Sequence, residues 1–285
     1  MVDKKRTFIQ AVAAFLQNAH IAGFFTGRIY DGGGKRICVP GLNCYSCPGA
    51  LGACPLGSLQ NAVSVWKFRF PCYVLGLMMF FGASFGRLIC GFLCPFGFLQ
   101  DMLFAVPAPK KLRTFRGDGY LRYLKYFVLL FMVIILPFAY KYTPFFCKYV
   151  CPSGTLSGIL LSAADSRLRD IMGWLFTWKV LVLAAIVLAS MAISRPFCKY
   201  ICPLGAFYAL FNRVSAVRLN VDREKCVNCG VCAEVCDMAV DPAASPNHTE
   251  CIRCGKCVKS CPHGAICFTA FSKPVGARGV PEKKV

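Results

Sequence analysis

An eight-residue cysteine unit recurs in this sequence and contains the side chains best suited to chemistry. Its three full copies begin at Cys90, Cys147 and Cys198 and read CGFLCPFG, CKYVCPSG and CKYICPLG. Each copy places two thiols four residues apart, with a proline directly after the second. Because proline is favoured at the first position of a helix, the second cysteine lies at the positive helix end, which stabilises an anionic thiolate. The unit predicts a metal-binding module rather than isolated buried cysteines.

A fourth, incomplete copy of the unit lies near the N-terminus. Cys54 begins the segment CPLGSLQ, which matches the segment CPFGFLQ that begins at Cys94. Ala50 occupies the position of the first cysteine, and Cys44 and Cys47 lie just upstream. A metal site built on this copy is therefore expected to use Cys44 or Cys47 as well.

Two further cysteine runs near the C-terminus have the spacing C-x2-C-x2-C-x3-C. In bacterial ferredoxins with this spacing, the fourth cysteine of each run binds the other cluster. We predict that one [4Fe–4S] cluster is held by Cys226, Cys229, Cys232 and Cys261. The second is predicted to be held by Cys251, Cys254, Cys257 and Cys236. Zinc sites use cysteine pairs separated by a longer gap, so the spacing does not favour zinc. Asp237 replaces the usual proline after Cys236.

The composition indicates a membrane protein. The chain has 285 residues, of which 56% are hydrophobic and 16% are charged, and its net charge is +20. The basic residues are scattered among apolar segments without an aromatic and basic face, so no nucleic acid partner is predicted. Basic loops beside membrane spans explain the charge better. Most of the 20 cysteines have metal-binding spacings, which favours reducing or anaerobic conditions over a disulfide framework.

Apolar segments at residues 7–27, 70–89, 120–140 and 174–193 are predicted to cross the membrane. The first could instead be a signal peptide, but no small-x-small cleavage motif follows it. A short helix is expected after each cysteine unit, as an internal repeat. We predict a mainly α fold, with a four-span helical bundle over residues 1–212. A small α+β two-cluster ferredoxin module follows at residues 213–268, with a flexible basic tail at 269–285.

The distribution of lysine and arginine predicts cytoplasmic N- and C-termini. Four crossings then divide the cysteine units between the two faces. An inner membrane cluster is predicted on Cys90, Cys94, Cys198 and Cys202. An outer membrane cluster is predicted on four of five cysteines, namely Cys54, Cys147 and Cys151 with Cys44 or Cys47. The total is four [4Fe–4S] clusters. Arg87 and Arg195, each three residues before an inner unit, could offset cluster charge or simply flank the membrane. Cys72 and Cys267 are not predicted to be ligands, and Cys38 is unassigned.

With these motifs the chain resembles the membrane-bound polyferredoxins, the family of NapH and of the C-terminal half of NosR. The resemblance covers about residues 70–268 and rests on CGFLCPFG, CKYICPLG and the double ferredoxin motif. It implies electron transfer between a membrane donor and redox partner proteins. The cysteine unit at Cys147 and the cysteines at 44–54 depart from that pattern and suggest the outer cluster.

The predicted function is electron transfer across the prokaryotic cytoplasmic membrane. Electrons would pass between a ferredoxin-like donor inside and a flavoprotein, cytochrome or reductase outside. One alternative is a quinol-oxidising subunit with a quinone site near Asn18 and His20. Another is a non-enzymatic redox sensor or assembly factor. The sequence has only 3 His and 13 Asp plus Glu, and no acid–base constellation is evident. An electron-transfer subunit is therefore favoured over a stand-alone enzyme.

Overall fold

The chain is mainly helical. The computed structural model describes residues 4–64, 72–107, 111–115, 117–140, 143–164, 173–270 and 273–275. Its α-helices within these ranges are α1 Lys4–Gln17, α2 Ala22–Thr26, α3 Pro55–Ser64, α4 Cys72–Phe85, α5 Leu88–Phe92, α6 Pro95–Ala105, α7 Asp118–Leu121, α8 Leu124–Val128, α9 Leu136–Ala139, α10 Phe145–Tyr149, α11 Pro152–Ala164, α12 Trp174–Ala192, α13 Pro196–Tyr200, α14 Pro203–Phe211, α15 Val231–Glu234 and α16 Lys256–Ser260. A 3-10 turn occupies Gly33–Arg36, and a π-helical segment, Leu129–Ile135, joins α8 to α9.

The cysteine–proline pair in each of the four copies of the unit begins a helix, as the repeat predicts. Pro55, Pro95, Pro152 and Pro203 are the first residues of α3, α6, α11 and α14. In the three full units the first cysteine lies in a short preceding helix, which is α5, α10 or α13. The two cysteines of each full unit are therefore separated by a break between two helices.

Among the residues that the structure describes, two helices are long and apolar enough to cross a membrane. They are Asp118–Ala139 and Trp174–Ala192, and they coincide with the third and fourth predicted spans. The first predicted span, residues 7–27, is not one continuous helix, because α1 ends at Gln17 and α2 begins at Ala22. The 14 residues of α1 rise about 21 Å, so a crossing of a membrane core of about 30 Å would have to include the segment that follows α1. The start of the second predicted span, residues 65–71, lies outside the described residues.

Contacts with the loop that follows explain why the first helix stops early. The carbonyl oxygen of Gln17 accepts hydrogen bonds from the backbone of Leu51 and the side chain of Asn43. The Gln17 side chain donates to the carbonyl oxygen of Leu93 at 2.7 Å. The polar residues of this segment therefore hold the loop at residues 41–51 and the helix end together.

The C-terminal module combines an antiparallel sheet with two short helices. The sheet order is β1 Val217–Val221, β2 Ile266–Ala270 and β3 Lys273–Val275, so it extends past the predicted module end at residue 268. In the register, Leu219 faces Phe268 and Val221 faces Ile266. Buried side chains of β1 and β2 pack against Cys232 of α15 and Cys257 of α16. The sheet thus supports the two helices that lie within the cysteine runs.

Buried polar contacts join this module to the helical domain. Arg253 is 1% exposed and donates to the carbonyl oxygens of Phe85 at 2.9 Å and Asn212 at 2.6 Å. The Asn212 side chain donates in return to the carbonyl oxygen of Cys251 at 2.8 Å. The module is therefore docked directly on the end of α4 and α14.

Candidate electron-transfer sites

Two cavities in the C-terminal module are lined by the two interleaved cysteine sets. The first is lined by Cys226, Cys229, Cys232 and Cys261, and we call it ferredoxin site 1. The second is lined by Cys236, Cys251, Cys254 and Cys257, and we call it ferredoxin site 2. The fold therefore places the last cysteine of each run beside the first three of the other run.

The same backbone turn shapes both ferredoxin sites. Asn228 and Arg253 both have a φ of 53°, and Gly230 and Gly255 have φ values of 76° and 79°. These left-handed positions turn the chain just before and just after the second cysteine of each run, and at the later position glycine avoids Cβ strain. Helices α15 and α16 start directly after the two glycines. Asp237, which replaces a proline, pairs with Lys256 of α16 and so links the two runs.

A third cavity, the inner site, lies in the helical domain. It is lined by Cys90, Cys94, Cys198 and Cys202. Pro40, Gly41 and Leu42 also line it, and the Tyr208 hydroxyl donates to the carbonyl oxygen of Pro40 at 3.0 Å. Four crossings from a cytoplasmic N-terminus would place the loop that contains these three residues on the outer side. The structure shows that the loop extends from the outer cysteines to the inner site.

Arg87 and Arg195 make reciprocal contacts across the inner site. Arg87, three residues before Cys90, donates to the carbonyl oxygen of Cys198 at 3.1 Å. Arg195, three residues before Cys198, donates to the carbonyl oxygen of Cys90. Both arginines are fully buried. They are therefore part of the site, and their position is not explained by membrane flanking alone.

Each buried arginine shares a carboxylate with a second cation. Arg195 and Arg6 both pair with Asp101, and the Arg195 contact measures 2.6 Å. Burial alone would raise the pKa of Asp101, but Arg195 and Arg6 outweigh it and lower that pKa to about 2. Arg87 and Lys125 pair with Glu250 in the same way. Two cations against one carboxylate leave a net charge of +1 in each group, which is suited to offset an anionic cluster between them.

The outer cysteines also come together, and we call this group the outer site. Cys147 and Cys151 hydrogen-bond each other. Burial, followed by the charges of Cys151 and Cys44, raises the pKa of Cys54 to about 12. The Ser157 hydroxyl contacts the Cys44 thiol. Cys44 is therefore the loop cysteine that the structure brings closest to a fourth ligand position. The charge of Cys47 instead affects the pKa values of Cys44 and Lys35.

The donor set fits a polynuclear cluster better than a single metal ion. Within the described part of the chain, no group of three His, Cys, Asp or Glu side chains can hold one ion. The cysteines instead line shared cavities in sets of four. Burial raises the pKa of Cys198 and of Cys251 to about 11, so these thiols ionise only when a positive centre stabilises them. An iron–sulfur core supplies that centre.

Family models match most of the cysteine motifs. One described as a 4Fe-4S binding domain matches residues 73–114, 124–168 and 174–221. Another with the same description matches residues 219–239 and 244–267. Each segment of the first model contains one full cysteine unit, whereas Cys44, Cys47 and Cys54 lie outside all matched segments.

Several curated proteins are similar to this chain. An uncharacterized protein of Methanocaldococcus jannaschii is 31% identical over 66% of this chain and 74% of its own length. The methylamine utilization ferredoxin-type protein MauN of Paracoccus denitrificans is 29% identical over 80% of this chain and 72% of its own. The ferredoxin-type protein NapH of Haemophilus influenzae is 27% identical over 57% of this chain and 52% of its own. The chain belongs to the polyferredoxin family. No solved structure matches it.

The resemblance seen in the sequence is thus confirmed, and this polyferredoxin is a ferredoxin-type electron-transfer protein with 4Fe–4S binding domains. The two side chains considered for a quinone site, Asn18 and His20, contact neighbouring backbone groups. The His20 ring nitrogen lies 2.8 Å from the carbonyl oxygen of Pro48, and the Asn18 amide donates to Ala14 in its own helix. Both side chains therefore hold local structure.

The three cysteines without an assigned role lie in three different settings. Cys72 is exposed at the start of the described part of α4, and Cys267 pairs with Asn220 in the sheet. Cys38 is buried, with its sulfur 3.6 Å from the Ser58 hydroxyl. These placements give Cys72 particular value as a control position.

Proposed function

We propose that this polyferredoxin conducts electrons across a prokaryotic cytoplasmic membrane through four [4Fe–4S] clusters. The ligands would be the four cysteines of each ferredoxin site, the four of the inner site, and Cys44, Cys54, Cys147 and Cys151 of the outer site. The clusters supply one-electron chemistry, and the chain sets their spacing, potential and exposure. The observation that supports the proposal best is that the four sites form one continuous series.

Direct contacts support each step of this series. Helices α15 and α16 pack together between the two ferredoxin sites. Gly91, between two inner cysteines, lies so close to the carbonyl oxygen of Ile252, between two cysteines of ferredoxin site 2, that a Cβ would overlap it. Leu42 lines the inner site two residues before Cys44. The sites are therefore neighbours in the order ferredoxin 1, ferredoxin 2, inner and outer.

The two long apolar helices support the proposal that the two ends of this series of sites lie on opposite faces of the membrane. At the start of Asp118–Ala139, Arg122 donates to the carbonyl oxygen of Met238 in the ferredoxin module. At its end, α9 packs against α3 of the outer site. Helix α12 runs the other way, from α11 of the outer site to the unit at Cys198.

The surface of these helices fits lipid contact. Exposed apolar side chains on them are Phe127, Leu130, Phe131, Ile134, Ile135, Phe138, Trp174, Trp178, Leu181 and Leu188. Helices α1 and α4 have similar exposed side chains, namely Phe8, Phe15, Leu16, Met79 and Phe80. We propose that all four helical segments lie in the membrane, with both termini cytoplasmic as the positive-inside rule favours.

Tag accessibility tests this topology. Gly33 and Gly117 both have open space around the Cβ position, so short tags inserted there should be tolerated. In intact cells we expect the tag at Gly33 to be accessible from outside, and tags at Gly117 and after Val285 to be shielded. Accessibility of Gly117 and the C-terminus on opposite faces would contradict the proposal.

Iron content tests the number of clusters. At four irons per cluster, the anaerobically purified chain should contain about 16 irons. Cys72→Ala is the control and should keep the full content. About eight irons would contradict membrane clusters while leaving the ferredoxin pair, and stoichiometric zinc would contradict cluster binding altogether.

Quinol oxidation is a second candidate function, and one observation favours it. An open cleft of about 1070 Å³ is lined by aromatic and charged side chains, among them Tyr123, Arg213, His248 and Glu250. Glu250 directly precedes Cys251 of ferredoxin site 2. Cluster reduction by a quinol, abolished by Arg213→Ala and absent with reduced ferredoxin, would support this function over the conduit.

A further inference from the structure

Two buried glutamines occupy equivalent places in the inner and outer sites. Gln100 follows Cys94 by six residues, and Gln60 follows Cys54 by six residues. Both side chains are 0% exposed. Each therefore needs hydrogen-bond partners for its whole amide group, since an unpaired buried amide is costly.

The amide oxygen of each glutamine has an unambiguous partner. Gln100 Oε1 accepts a hydrogen bond from the backbone N–H of Phe197 at 3.2 Å. Gln60 Oε1 accepts one from the backbone N–H of Phe146 at 3.1 Å. Because a backbone N–H can only donate, these bonds fix which end of the amide is oxygen. The NH₂ group must then point the other way.

In both sites the NH₂ group points at a cysteine sulfur. Gln100 Nε2 lies 3.1 Å from Cys198 Sγ, and Gln60 Nε2 lies 3.3 Å from Cys147 Sγ. Each of these cysteines is the first of a full unit and directly follows the phenylalanine that the same glutamine holds. One side chain thus fixes the backbone before the cysteine and donates to its sulfur.

We propose that Gln100 and Gln60 raise the reduction potentials of the inner and outer clusters by this N–H···S bond. The inference rests on the proposed cluster ligation. One-electron reduction adds negative charge to the cluster and its cysteine sulfurs. A donor aimed at one of those sulfurs therefore stabilises the reduced form more than the oxidised form. The residue type is matched to the task, because the amide donates to sulfur without adding a charge.

The test is an EPR-monitored redox titration of the full-length anaerobic protein. Gln100→Met keeps the length and apolar bulk of the side chain but removes the donor. We expect it to lower the midpoint potential of the inner cluster alone by about 59 mV. For one electron this is about a tenfold change in the equilibrium constant of reduction. Gln60→Met should have the same effect on the outer cluster alone. Each is the matched control for the other.

Iron content separates failure of this inference from failure of the proposed function. If the wild type lacks the signals of the two membrane clusters, cluster ligation itself is wrong. If iron and signals are complete and the potentials of Gln100→Met and Gln60→Met equal those of the wild type, the glutamines do not tune the clusters.

Assembly defects require a second pair of variants. If a methionine variant loses its cluster, Gln100→Leu and Gln60→Leu are titrated instead. Leucine has a different shape from methionine, adds no charge and cannot donate to sulfur. A lowered potential in these variants supports the proposal. Unchanged potentials, or loss of the cluster in all four variants, overturn it, because the glutamines would then be needed only for assembly.

Discussion

Cys198→Ala is expected to abolish the signal of the inner cluster and leave both ferredoxin-type signals intact. The thiol of Cys198 is buried and lines the same cavity as Cys90, Cys94 and Cys202. Removing it leaves a cluster with three ligands in a site that water cannot enter to replace the fourth. EPR spectra of the reduced protein, with iron counted, measure the loss, which should be about four irons.

The matched variant Cys147→Ala should remove only the outer cluster. Electrons from a reductant at the ferredoxin sites should then still reach the inner cluster but not an acceptor outside. Cys44→Ala should have the same effect, whereas Cys47→Ala should not, because Cys44 is the loop cysteine whose charge contributes to the raised pKa of the Cys54 thiol. Cys72→Ala is the unaffected control. If Cys147→Ala and Cys198→Ala abolish one and the same signal, the two units share a cluster and a two-sided conduit is wrong.

In three of the four groups, the cysteines that the spacing predicts to act together line one cavity. A fixed spacing of thiols before a helix-starting proline is a local feature, so it can be recognised in a single sequence. The interleaving of Cys236 and Cys261 between the ferredoxin sites is likewise a property of the repeated motif. The segment CPLGSLQ also indicated, through its match to the segment at Cys94, that Gln60 and Gln100 are equivalent.

Long-range contacts could not be predicted in this way. The end of α1 at Gln17 depends on hydrogen bonds to Leu51 and Leu93, which are distant in sequence. A hydrophobicity window averages over the polar side chains that make those bonds, so it predicts a continuous span. The contact of Pro40 with Tyr208 is equally invisible to spacing, because 168 residues separate the two.

The structure was also needed to choose between the two roles considered for Arg87, which are offsetting cluster charge and flanking the membrane. Basic residues beside apolar segments are common in membrane proteins, so position alone could not assign a role. The reciprocal bonds of Arg87 and Arg195 to Cys198 and Cys90 decide for a role within the site.

Glu250→Gln is expected to uncouple the ferredoxin module from the inner site. The Glu250 carboxylate accepts from Arg87 at 2.8 Å and from Lys125, and the side chains of both cations are 0% exposed. Without it, two buried cations face each other with no counterion. Removing one partner of a buried ion pair typically costs about 3–5 kcal/mol of stability. Here the loss weakens the contact that docks the ferredoxin module on the helical domain. We expect all clusters to remain while electron transfer from ferredoxin site 2 to the inner site fails.

Three comparisons make the uncoupling specific. Glu224→Gln, at an exposed position of the same module, should leave transfer and stability unchanged. The double variant Glu250→Gln/Lys125→Met removes one cation as well and returns the group to its net charge of +1, so it should regain part of the transfer rate. Rapid-mixing reduction of the inner cluster and limited proteolysis of residues 213–225 measure the two effects.

Low pH should have the same effect as Glu250→Gln. Burial tends to raise the pKa of Glu250, but Arg87 and Lys125 outweigh it and lower that pKa. Its contribution to docking is therefore complete above the unfolded pKa of about 4.3 and is lost as the pH falls further. Transfer at the wild-type rate in Glu250→Gln, with unaltered proteolysis, would show that this ion group does not hold the module in place.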